Sequence, residues 1–116
     1  VSVNAQVLIQ KIDSLIQNDE GSAAIQIIDE YLTNKNVEEF KIALQLKKAE
    51  ALILSQEYNK AESIINTLKA TRLSLQEDAE LKIIEGSLQL YQGKNDQAQE
   101  TLLEAEKLLQ REGILN

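Results

Sequence analysis

The chain reads as an all-α fold of three antiparallel helix pairs, and three observations predict it. First, Leu, Ile, Ala, Gln, Glu and Lys dominate, and Pro is absent from all 116 residues; most of these are strong helix formers, and Pro is the strongest helix breaker. Second, apolar residues recur three and four apart, as in Ile9, Ile12 and Ile16, which is the spacing of one helical face. Strand-like alternation is not sustained anywhere. Third, a unit of 37 residues is written three times. Ala24, Ala61 and Ala98 keep that spacing. So do Ile9, Leu46 and Ile83; Ile12, Ala49 and Gly86; Ile16, Ile53 and Leu90; and Ile28, Ile65 and Leu102. A fixed period of this size marks a repeat architecture.

The first unit, about 1–35, predicts helices over 3–18 and 22–33. Ile9, Ile12 and Ile16 make the apolar stripe of the first helix, and Ala24, Ile28 and Tyr31 that of the second. Gly21 is read as a helix end, where a left-handed residue closes the last turn. The second unit, about 36–72, predicts helices over 37–55 and 58–70. Asn36 and Glu39 have capping-box spacing at its start. Its stripes are Leu46, Ala49, Ile53 and Ala61, Ile65, Leu68. The third unit, about 73–112, predicts helices over 75–92 and 95–111, opened by Ser74 with Glu77 and punctuated by Gly93 and Gly113. Its stripes are Ile83, Gly86, Leu90 and Ala98, Leu102, Ala105. Connections this short make consecutive helices antiparallel neighbours within a single domain over 1–116.

Composition removes several functions. Without His, Cys, Met or Trp, zinc sites, thiolate nucleophiles, disulfides and Ser-His triads have no residues to be built from. Asn18-Asp19-Glu20-Gly21 lacks the twelve-residue loop and closing Glu of a calcium site and reads as an interhelical turn. No metal, cofactor or catalysis is expected. The net charge is −7 and the twelve cations form no stripe, so nucleic acid and anionic membrane surfaces are disfavoured as partners. The longest apolar run, Ala51 to Leu54, is far too short to span a bilayer. The chain opens on Val1 without a signal segment or an initiator Met. It is expected to be a piece of a longer protein, with the cytoplasm as default location.

A repeated helix pair of this length resembles the tetratricopeptide repeat (TPR), whose pattern is Trp-x2-Leu-Gly-x2-Tyr followed by Ala-x3-Phe. Ile9, Leu46 and Ile83 stand at the Trp position, and Ile12, Ala49 and Gly86 at the Leu position. Ile16, Ile53 and Leu90 stand at the Tyr position, and Ala24, Ala61 and Ala98 lead the Ala-x3-Phe pairs. Asp13, Glu50 and Ser87 replace the Gly, the Pro is missing, and the period is 37 against about 34 in the family. The resemblance is to a divergent, TPR-like array. HEAT repeats, also helix pairs, are the competing likeness, although HEAT units usually kink their first helix with Pro. An ordinary helical bundle is the third reading.

The TPR resemblance implies an α-solenoid: stacked pairs form a right-handed superhelix with a preformed concave groove, suited to holding an extended or helical segment of another protein. First helices line that groove. The stripe lying two positions before each core stripe includes Val7, Gln10, Ser14 and Gln17, then Leu44, Lys47, Ala51 and Leu54, then Leu81, Ile84, Leu88 and Tyr91. Lys47, Leu54, Ile84, Leu88 and Tyr91 are the candidate partner-binding residues. Leu81 and Leu88 equally suit packing against the preceding unit. Lys47 is the one basic residue on the stripe, too few for a carboxylate clamp. The last pair ends in Leu102, Leu103, Leu108 and Leu109, then Ile114 and Leu115, with nothing after them to cover an apolar face. That face is therefore expected either to continue into further chain or to be covered by a second protomer, through self-association of the C-terminal helix pair. The alternative to a binding scaffold is a structural or oligomerisation segment of a larger helical-repeat protein.

Overall fold

The computed structural model describes residues 3–34 and 38–113, and these residues are almost entirely helical, with no strand among them. The helices are α1 (Val3–Gln17), α2 (Gly21–Asn34), α3 (Lys41–Leu54), α4 (Tyr58–Lys69), α5 (Leu75–Tyr91) and α6 (Asn95–Arg111). Their ends fall within a residue of the sequence reading, except at the start of α3. A 3-10 turn, Glu38–Phe40, stands where the helix was expected to begin. Phe40 packs against the buried cluster of α1 and α2, and as N-cap it makes no side-chain capping bond. The Asn36 cap lies outside the described residues. The Ser74–Glu77 capping box is present: the Glu77 N–H donates to Ser74 Oγ at 3.1 Å, and the Ser74 N–H donates to Glu77 Oε1 at 2.9 Å.

The turn within each helix pair is built three times in the same way. Asp19, Gln56 and Gly93 take left-handed backbone, with φ of 61°, 63° and 78°, and they too are 37 residues apart. The N–H of each donates to a carbonyl three residues back (Ile16, Ile53 and Leu90) at 3.0–3.1 Å. The next N–H reaches five residues back, to Leu15, Leu52 and Gln89, at 2.8–2.9 Å. This is the Schellman closure of a helix C-terminus. One turn later Ala24, Ala61 and Ala98, all fully buried, open the second helices. Gly21 differs from expectation: it has no positive φ. Its role is close approach, because a Cβ there would stand 3.0 Å from the Ala51 carbonyl oxygen and 2.8 Å from Ser55 Oγ.

The chain divides into two compact units, Val1–Ala61 and Glu62–Asn116, with the division inside α4. In the first, α2 packs on α1, and α3 packs on both. Leu8, Ile12, Ile16, Ala24, Ile28, Leu44 and Ala51 form one buried cluster there. Fully burying an Ile or Leu contributes about 1.5–3 kcal/mol. The rim ion pairs Lys47–Asp13 at 2.8 Å and Lys48–Asp29 at 2.7 Å each contribute about 0–1 kcal/mol. Apolar burial therefore holds α3 in place, and the lysines fix its register. In the second unit α5 and α6 pack along their length. Gly86 permits this, since a Cβ there would meet Leu102 Cδ2 at 2.7 Å. Lys82 and Glu104 join the two helices at 3.0 Å, and Lys69 of α4 pairs with Glu85 of α5.

Candidate interaction surface

The 37-residue register allows each exposed side chain to be compared with its equivalents. Leu46 and Ile53 of α3 are 1% and 4% exposed, whereas their equivalents Ile83 and Leu90 of α5 are 41% and 50% exposed. Ile28 and Ile65 are fully buried, but Leu102 is only half-buried. Leu103, at 49% exposure, stands beside it on α6. In the first unit Ile16 is buried and Ile9 half-buried, so the positions that the second unit buries at Leu46, Ile53 and Ile65 are uncovered in the third. Ile83 and Leu90 flank Gly86 along one face of α5, and Leu102 of α6 lies close against Gly86. One apolar strip runs across the two helices.

Leu90, Leu102 and Leu103 also line a shallow concavity of about 300 Å³, together with Asn95, Gln99 and Glu106. Glu106 is the single charged residue among these. Exposed apolar side chains scattered singly are ordinary on a protein surface, but a contiguous strip with a polar rim marks a docking site. Among the described residues no group of acids could hold a metal ion, and no helix is long and apolar enough to cross a membrane.

The five candidate residues named from sequence fall into different settings. Lys47 is half-buried and paired with Asp13 and, at 4.0 Å, with Glu50. Leu54 is partly buried against the α1–α2 cluster. Ile84 and Leu88 are 8% and 3% exposed, so they present almost no surface to a partner. Tyr91 is well exposed at the end of α5. Lys47 and Leu54 belong to the first compact unit, and Ile84, Leu88 and Tyr91 to the second. In α5 three of the four residues assigned to the groove stripe, Leu81, Ile84 and Leu88, are buried and Tyr91 is exposed, while two of the three residues assigned to the core stripe are exposed. Sequence reasoning missed Ile83 and Leu90 as surface, whereas it placed Leu103 on an uncovered apolar face of the last pair.

The Glu50 carboxyl is displaced from its ordinary range. Burial raises its pKa, Lys47 opposes the rise, and the nearby Asp13 charge adds to it. The chain matches no protein-family model, no curated protein and no solved structure.

Proposed function

We propose that this chain is a protein-interaction scaffold of TPR-like helix pairs, in which the outer face of α5 and α6 holds a segment of a partner protein. The exposed apolar strip of Ile83, Leu90 and Leu103 carries the reading. Helix pairs bury their faces by stacking, and an uncovered face is where another element is accommodated. The scaffold is preformed, so a partner segment bears most of the ordering cost. The recurring interhelical turn at Asp19, Gln56 and Gly93 supports the reading of one helix-pair unit repeated three times. Binding here shifts from the groove stripe to the outer face. No step of this function requires a metal, a cofactor or a catalytic group.

A photo-crosslinking amino acid at Leu103 tests the assignment. The reading expects discrete adducts with a partner protein at Leu103 and none at the exposed Ser63 of α4. Adding Leu90→Asp, at a half-exposed position whose change leaves the core intact, should abolish those adducts without loss of helical signal. Equal adducts from both sites, or adducts indifferent to Leu90→Asp, would remove the face from consideration.

A further inference from the structure

Resting on that docking reading, we infer that the occupant of the α5–α6 face is an amphipathic α-helix with basic flanks, laid across α5 and α6 as α3 lies across α1 and α2. The first unit shows what covers such a face. Ile12, Ile16 and Ile28 of α1 and α2 share a buried cluster with Leu44 and Ala51 of α3, and Phe40 and Leu54 pack against it. Two repeats later in the sequence, the equivalents of Ile12, Ile16 and Ile28 are Gly86, Leu90 and Leu102. The occupant's contact stripe should therefore follow the helical spacing of Leu44, Ala51 and Leu54.

Charge sets the rest. At the rim of the α1–α2 face, Lys47 and Lys48 of α3 meet Asp13 and Asp29. The equivalents of those two acids are Ser87 and Leu103, so the strip on α5 and α6 is wider and less charged. Glu106 remains on the wall of its concavity with no basic residue among the others lining it. A Lys or Arg at the edge of the occupant meets that carboxylate, whereas a Glu is repelled.

The same features disfavour a second copy of the chain. Joined face to face, two copies would press together strips that each carry the Glu106 carboxylate at the wall and no basic residue lining it, on chains of net charge −7. Joined head to tail, the copy would offer the exposed α1 stripe of Val7, Gln10, Ser14 and Gln17, in which Val7 is the one apolar member and the amides and hydroxyl would have to desolvate against leucines.

Two synthetic helical peptides of about four turns, sharing a Leu stripe and differing only in Lys or Glu flanks, test this by calorimetry. The Lys-flanked peptide should bind the wild-type chain about fivefold or more tightly than the Glu-flanked one, in keeping with an exposed charge pair. Glu106→Lys should narrow or reverse that preference, and Leu90→Asp should abolish both complexes. Equal binding that ignores Glu106→Lys but is lost with Leu90→Asp overturns the basic helix and leaves the docking face standing. Failure of both peptides also overturns the helix, and the crosslinking result then decides on the face alone. A dimer by light scattering that Leu90→Asp converts to monomer assigns the face to a second copy and overturns the inference as well.

Discussion

At the residue scale, Lys47 lies between the carboxylates of Asp13 and Glu50. Burial raises the Glu50 pKa further than Lys47 lowers it. A carboxyl whose folded pKa is raised binds more protons folded than unfolded, so its ionisation destabilises the fold as pH rises through the folded value. Glu50→Gln should therefore increase stability near pH 7 by a few tenths, about 0.3 kcal/mol once its exposure is discounted for solvent screening. Denaturation at a series of pH values should show the gain vanishing below the ordinary 4.5. A gain that persists at low pH would mean the amide acts through something other than the proton. Gln56 is a second such residue. Its left-handed backbone costs a side-chain-bearing residue what Gly avoids, so Gln56→Gly should stabilise by about 0.5–1 kcal/mol, measured by chemical denaturation. Neither left-handed site was legible on its own, because Asp19 and Gln56 are not glycines. Counting back by 37 from Gly93 would have found both. Gly21 drew attention for the right residue type and the wrong reason, since its small size, not its backbone freedom, lets α2 approach α3.

At the element scale, helix existence, pairing and most boundaries were legible, because propensity, apolar spacing and caps all agree. The Ser74–Glu77 box could be read directly and is present. What spacing does not reveal is which stripe of a helix ends up covered. Ile83 and Ile84 are neighbours in sequence and belong to different stripes, and only what packs on each decides that Ile83 is exposed and Ile84 buried. The α5–α6 contact itself turns on Gly86. Gly86→Ala gains about 1 kcal/mol of helix propensity but forces a Cβ against Leu102, an overpacking cost of about 1–3 kcal/mol. We expect a net loss of about 1 kcal/mol in the wild-type background. With Leu102→Ala present, the obstructing atoms are gone and the same substitution should become stabilising. A double-mutant cycle by denaturant titration reads this change of sign, and a constant sign would show that the helices do not meet there.

At the scale of the whole molecule, a helix pair written three times and closed by the same turn does not guarantee that every pair is covered equally. The first pair is covered by α3. The last leaves Ile83, Leu90 and Leu103 in solvent, and the functional account rests on that difference. The leucines of the last pair pointed to exposed apolar surface there. They gave no sign that the exposed strip would lie on the stripe assigned to the core. Methyl spectra of the labelled chain, titrated with the Lys-flanked helical peptide, test the account most directly. It predicts that the methyls of Ile83, Leu90, Leu102 and Leu103 shift together and saturate, while those of Ile12, Ile28 and Leu44 stay still. Shifts centred on Val7 and Ile27 of α1 and α2, or none anywhere, would contradict it.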